Sequence, residues 1–264
     1  MPEAVSPLFV DSHCHLDCIE LDEFDDNYDV LIQRCFDAGV EHMLCVSIDM
    51  HKYPRMLEQA ERYSQVSVSA GVHPMAKQEE DVDVETLKEI AGNRKVVAIG
   101  ETGLDYYYAR GERTWQQNRF RKHIQCANEL NKPVIVHTRD AGADTLKILE
   151  QENAEHCGGV IHCFTETMDF AEKALQLDFM ISFSGIITFR NADALREVAR
   201  EVPDSHLLIE TDAPYLAPAP FRGKQNYPAH VQYVAQKLAE IRNTSTEHIA
   251  EVSRKNFYRV FNPC

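Results

Sequence analysis

Eight short apolar or β-branched runs recur along this chain, each followed by a longer amphipathic segment. That alternation constrains the fold more than any single motif. The runs cover residues 8–12, 42–48, 66–72, 96–100, 133–137, 159–163, 179–184 and 207–211. The helical patterns cover 28–38, 53–63, 84–91, 113–130, 142–152, 168–177, 191–200 and 229–240. Within 113–130, for example, Trp115, Phe120, Ile124 and Ala127 recur near one face at helical spacing. Strands that alternate with helices build parallel sheets, because a parallel neighbour is reached only through a crossover. Eight such units in 264 residues predict an α/β fold of the (β/α)8 TIM-barrel type, which takes roughly 250 residues. The reading is one barrel domain over 1–264 with an additional C-terminal helix over 246–261, which Asn243-Thr244-Ser245 can N-cap. A doubly wound open sheet is the alternative. No Gly-x-Gly-x-x-Gly follows the first run, which disfavours its dinucleotide-binding form.

Composition bounds the setting. Hydrophobic residues make up 44% of the chain, enough for a sizeable core without covalent staples. The eight cysteines (14, 18, 35, 45, 126, 157, 163 and 264) are scattered with no Cys-x-x-Cys pair, so they read as reduced thiols, not a disulfide framework. Residues 1–7 show no basic, apolar leader, and no run approaches the roughly 20 apolar residues of a membrane helix. A cytoplasmic protein with no membrane association is expected. The net charge of −15 argues against broad nucleic-acid binding through many phosphate contacts. A local site stays open, because bound divalent cations reverse the sign where an anionic substrate sits.

The chemistry gathers at the ends of the runs. His13 and His15 close the first run two residues apart, so in an extended strand both rings point to one side while Cys14 points away as a packing residue. Glu101 ends the fourth run, His137 the fifth, His162 the sixth and Asp212 the eighth. Singly, each has an ordinary reading as a satisfied core histidine or a helix-capping acid. Together they sit at the C-terminal ends of five strands, the face where barrel enzymes build their sites, and buried charges there are costly unless paired or metal-bound. Four imidazoles and two carboxylates exceed one tetrahedral zinc site with an open position and suit two divalent ions, with a carboxylate such as Glu101 able to bridge them.

Six blocks carry a resemblance over nearly the whole chain: Val10-Asp11-Ser12-His13-Cys14-His15-Leu16-Asp17, Gly71-Val72-His73-Pro74, Gly100-Glu101-Thr102-Gly103-Leu104-Asp105-Tyr106, Pro133-Val134-Ile135-Val136-His137-Thr138-Arg139-Asp140-Ala141, Ile161-His162-Cys163-Phe164 and Leu208-Ile209-Glu210-Thr211-Asp212-Ala213-Pro214-Tyr215-Leu216. In order and spacing the chain resembles the TatD family of metal-dependent deoxyribonucleases, within the amidohydrolase-like barrel superfamily. The resemblance implies that His13, His15, Glu101 and Asp212 hold one ion and Glu101, His137 and His162 a second, with Mg, Mn or Zn as the candidate metals. Glu101 stands where some distant superfamily members carry a carboxylated lysine, which favours the nuclease branch. Ala143 departs from the acidic residue the family often carries, with Asp144 one place later.

The expected activity is hydrolysis of DNA phosphodiesters, as a 3′-to-5′ exonuclease on single-stranded ends. The alternatives are another ester, amide or small phosphoester substrate on the same barrel, or an inactive binding barrel. Asp212 is the candidate general base, and Glu210, two residues earlier, either assists at the site or forms a salt bridge in the barrel mouth. For substrate contacts the candidates are Arg139, as a phosphate clamp or a partner of Asp105 or Asp140, and His73, as a donor to phosphate or a lining residue of the pocket. Asp105, Tyr106 and Phe164 lie on the same face, where rings (Tyr107 and Tyr108 included) could stack a base or simply pack the loop. Arg222, in a small basic loop with Lys224, is a candidate to hold the substrate backbone, with an exposed basic residue of no role as the alternative. DNA is the expected partner through local contacts only, with no obligate protein partner and a monomeric chain.

Overall fold

Each apolar run is followed by an amphipathic helix long enough to return the chain to the starting end of the next strand, and this dictates parallel pairing. The computed structural model describes residues 7–263 except 110 and 112. Its strands are β1 (Phe9–Cys14), β2 (Val40–Cys45), β3 (Val66–Ala70), β4 (Val96–Asp105), β5 (Val134–Arg139), β6 (Gly159–Ile161), β7 (Phe179–Phe183) and β8 (Leu207–Ile209). They form one sheet in sequence order, with parallel neighbours throughout. Helices α1 (Tyr28–Asp37), α2 (Tyr53–Glu61), α3 (Val84–Ala91), α4 (Thr114–Leu130), α5 (Gly142–Gln151), α6 (Met168–Gln176), α7 (Asp193–Glu201) and α8 (Val231–Arg242) alternate with them, and α9 (Thr246–Phe261) follows.

The sheet curls until β8 meets β1, which an open doubly wound sheet does not do. The amide of Asp212 donates to the His13 carbonyl at 2.9 Å, and that of His15 to the Ala213 carbonyl at 2.7 Å. Ser12 Oγ donates to the Ile209 carbonyl at 2.9 Å, and the Thr211 amide to Asp11 Oδ1 at 2.9 Å. The nearly closed barrel and its C-terminal helix agree with the sequence reading.

Two shells of apolar packing hold the barrel. Val10, Leu44, Ala98, Ile135, Val160, Met180 and Leu208 face inward, and Phe257 and Phe261 of α9 pack against them. The extra helix therefore closes the end opposite the strand C-termini. It starts where Ser245 Oγ accepts from the His248 amide, and Asn256 Nδ2 ties it to the Leu207 carbonyl at 2.9 Å. The outer shell lies between the strands and α1–α8 and includes Cys14, Cys35 and Cys45.

Some buried polar groups in this scaffold set its pH response. On α4, His123 Nε2 accepts from the Val72 amide at 3.0 Å and Nδ1 donates to the Arg119 carbonyl at 2.9 Å, an arrangement that requires the neutral ring. Burial pushes its pKa down to about 4. The folded value lies below the unfolded one, so this stability is complete above about pH 6.5 and is lost as the pH falls toward 4, by about 2 kcal/mol at pH 5. The His123 ring resonances are expected to keep neutral-imidazole shifts down to pH 5 in NMR titration; an imidazolium signal at pH 6 would contradict this.

Candidate metal centre

The period of two along the strands carries the inward face of the barrel straight into the site. On β5, Ile135 faces inward and His137 lies two residues on; Val160 and His162 repeat this at β6, and Leu208 and Glu210 at β8. On β1 and β4 the register shifts, between Asp11 and Cys14 and between Ile99 and Thr102. After the β1 shift, His13 and His15 face the site while Cys14 turns to the outer shell, where its thiol donates to the Leu44 carbonyl. Gly103 needs its missing Cβ, which would collide with the His137 carbonyl. That close approach sets Glu101 on the floor of the barrel mouth beside His137 and His162. Asp212 and Cys163 lie just beyond their strands in the left-handed region (φ 57° and 43°), a conformation that non-glycine residues adopt at a cost and that clusters at functional sites.

Six side chains converge around Glu101. His13 Nε2 and His15 Nε2 are 3.3 Å apart. Glu101 Oε2 is 3.3 Å from the first and 3.8 Å from the second, and Asp212 Oδ1 is 3.7 and 3.3 Å from them. Four ligands at about 2.1 Å from one tetrahedral ion stand about 3.4 Å apart, so these donor atoms suit a single cation. The other oxygen, Oε1, lies 2.8 Å from His162 Nε2 and 3.2 Å from His137 Nδ1, which are themselves 3.5 Å apart. The two donor groups thus share the two oxygens of one carboxylate.

The charge balance also suits cations. Burial would push the Glu101 carboxyl up, but the His162 and His73 rings and hydrogen bonds from His13 and His137 outweigh it and hold it well below the usual range. Burial likewise opposes ionisation of Asp212, and His15 and His13 reverse it. Their rings answer in kind. His15, despite burial, is pushed up to about 9 by Asp212 and Glu101, and His162 is raised by Glu101 and Glu210. Two ionised carboxylates draw positive charge into a buried floor, where metal ions can supply it.

A second layer aims these rings. His15 Nδ1 donates to the Val46 carbonyl at 2.9 Å, His137 Nε2 lies 3.2 Å from Asp105 Oδ2, and His162 Nδ1 lies 3.3 Å from Glu210 Oε1. Each contact keeps a proton on the nitrogen that faces away from the site, so that a cation which displaces the proton on the other nitrogen meets its lone pair. His73 differs: the Met75 amide donates to its Nδ1 at 3.0 Å, so the neutral ring carries its proton on Nε2, 3.2 Å from Glu101 Oε1. It presents an N–H to the site, although its position would also allow it to complete a donor group with Glu101 and His137. One ridge of α4 holds this layer. Gln116 bonds the Pro74 carbonyl and the Asp105 amide. Arg119 pairs with Asp81 and donates to the carbonyls of His73, Ala76 and Lys77.

Above the floor opens a cavity of about 640 Å³, lined in part by His15, His73, Glu101, His137, Arg139, His162 and Asp212. The structure places several of the sequence candidates away from the open cavity. Glu210 is fully buried behind His162, with the Cys163 amide on its Oε1 at 2.8 Å, a contact within the barrel mouth of the kind the sequence left open as its alternative role. Asp105 sits behind His137 and also accepts from the Tyr108 amide, so it is not an open substrate contact. Phe164 is buried against Phe170 and Phe183 and has no free face for a base. The Tyr106 ring carries the Arg113 guanidinium 4.2 Å from its centroid, and its hydroxyl is taken up by Asp144 and Gln117. Arg222 stacks on Phe189, 3.6 Å from its ring centroid, and lies outside the cavity lining. Conversely, Ile48, Ile186, Tyr215 and Leu216 line the cavity although the sequence reading assigned them no role. They are apolar or aromatic loop residues, and only their place just past a strand end could have marked them.

Comparisons with known proteins follow the same line. The family model described as TatD related DNase matches residues 10–262. YcfH of Escherichia coli strain K12, named an uncharacterized metal-dependent hydrolase, is 49% identical over 252 residues, covering 96% of this chain and 95% of that protein. YabD of Bacillus subtilis strain 168, named in the same terms, is 39% identical over 255 residues, covering 96% and 99%. The crystal structure of YjjV, a TatD homolog from Escherichia coli K12, superposes with a TM-score of 0.88 at 31% identity, covering 96% of this chain and 98% of that one.

Proposed function

Starting from the fact that the chain belongs to the TatD-related DNase family, we propose that it hydrolyses DNA phosphodiester bonds at a two-ion centre. At the coarser level it is a metal-dependent hydrolase of that family. The observation that carries the finer reading is Glu101, whose Oε2 faces His13 and His15 and whose Oε1 faces His137 and His162. His13, His15, Asp212 and Glu101 Oε2 would hold one ion, and Glu101 Oε1, His137 and His162 the other. Divalent ions there supply Lewis acidity toward phosphoryl oxygens and bring the pKa of water toward neutrality.

The chain's own groups do the rest. Asp212 is ionised, lines the cavity and spends Oδ1 on His13 and His15, which leaves its second oxygen to accept a proton. As a water oxygen bonds phosphorus, that proton passes to Asp212; the ester P–O bond breaks, and the departing alkoxide is protonated by water. His73 Nε2–H, now beside Glu101 Oε1, would donate to a non-bridging oxygen of the substrate, and Arg139 would hold phosphate charge at the rim. Asp105 and Glu210 keep His137 and His162 aligned. The floor is buried beneath a walled cavity, so an unpaired strand end reaches it more readily than the interior of a duplex. That favours single-stranded ends, with 3′-to-5′ polarity as the direction to test.

The test is digestion of end-labelled single- and double-stranded DNA by chelated protein reloaded with Mg, Mn or Zn. The expected result is a ladder shortening from the 3′ end of single strands, abolished by chelator. No cleavage with any ion, together with turnover of a lactone or amide, would overturn the nuclease reading.

A further inference from the structure

The walls of the cavity differ in chemistry on opposite sides of the barrel. Tyr108 follows β4, Thr138 and Arg139 end β5, and Thr165 follows β6. Ile186 follows β7, Tyr215 and Leu216 follow β8, and Ile48 follows β2. In a barrel whose strands run in sequence order, β5 lies across the axis from β1. One wall is therefore polar and the facing wall apolar and aromatic.

Each wall has one residue built to recognise something. Arg139 is the one lysine or arginine among the described lining residues, in a chain of net charge −15. Its guanidinium carbon lies 4.0 Å from the Tyr107 ring centroid and 4.9 Å from that of Tyr108. Two rings set at 88° to each other confine the guanidinium beside the cavity, and its N–H fork has the geometry that suits phosphate. Opposite, Tyr215 has a side chain that is 51% exposed on a backbone held at both ends. Its amide donates to the Asp212 carbonyl at 2.9 Å, and its carbonyl accepts from the buried Asn226 Nδ2 at 2.7 Å. An aromatic ring with an open surface on a held backbone suits stacking of a base.

We propose that the site reads two features beside the scissile diester: a planar base laid on the Tyr215 wall, and a second phosphate, one linkage away, held by Arg139. The proposal rests on the phosphodiester reading and narrows its substrate class. The preferred substrate is a strand end in which a base and a further phosphate flank the broken bond on opposite sides, not an isolated diester.

The test compares the dinucleotides dTpdT, pdTpdT and dTpdTp, each also with an abasic residue in place of one thymidine. A phosphate at one end is expected to raise kcat/KM by about 10- to 100-fold, the range of a charge-assisted hydrogen bond. Arg139→Met should erase that gain, so that the variant cleaves the phosphorylated dinucleotides and dTpdT with kcat/KM values within about 2-fold of one another. Tyr215→Ala should slow the base-bearing substrates by about 10-fold and leave one of the abasic series unaffected. No gain from either terminal phosphate, or equal losses on every substrate, would overturn the proposal. If none of the dinucleotides is cleaved with any ion, the nuclease reading fails on its own. Equilibrium binding to Asp212→Asn then decides the recognition: an Arg139-dependent preference for a phosphorylated dinucleotide over dTpdT supports it, and equal affinities overturn it.

Discussion

Replacing Glu101 by Gln is expected to lower kcat/KM by about a thousand-fold or more, beyond the 10- to 100-fold typical of a residue that only supports a ligand. The side chain keeps its size, and the floor around it is polar, so the barrel should fold with unchanged circular dichroism. What is lost is the charge and one of the two ligating oxygens. In this site those oxygens serve different groups, Oε2 toward His13 and His15 and Oε1 toward His137 and His162. One substitution therefore weakens both halves, whereas His13→Asn or His162→Asn acts on one. Steady-state kinetics across a metal series checks this. Activity within 10-fold of the unmodified protein would contradict a bridging role.

Asp212→Asn is the second large effect: a fall of about 10²–10⁴ in kcat, the usual range for removing a positioned proton acceptor, with KM little changed. Asn retains an oxygen where Oδ1 meets His13 and His15, but it cannot take a proton. Glu210→Gln is the control. Glu210 reaches the site only through His162 and the Cys163 amide, so it should cost no more than about 10- to 100-fold. Equal losses in the two variants would assign Asp212 a ligand role alone.

The sequence made the barrel legible because the signals were local and repeated. Strand runs and amphipathic helices need only near neighbours to be recognised, and the side-chain period of two carries Ile135 to His137 and Val160 to His162 without further information. The second layer was not legible, since its partners are distant in the chain. Glu210 faces the site by spacing yet is consumed by a residue 48 positions away, and Tyr106 by Asp144, 38 positions away. Phe164 is a loop aromatic like Tyr108, and only the packing of Phe170 and Phe183 makes one core and leaves the other open. Arg119 lies in a helix whose sequence signal is its apolar face, with nothing to single out one of its polar residues. In the fold it is fully buried and holds the loop that carries His73. The register shifts in β1 and β4 likewise depend on neighbouring strands.

The central claim is that one carboxylate joins two ion sites, and counting ions tests it most directly. Native mass spectrometry of chelated protein titrated with Mn²⁺ should reach two ions per chain in the unmodified protein and no more than one in Glu101→Gln. One ion at saturation in the unmodified protein, or two retained in the variant, would contradict it.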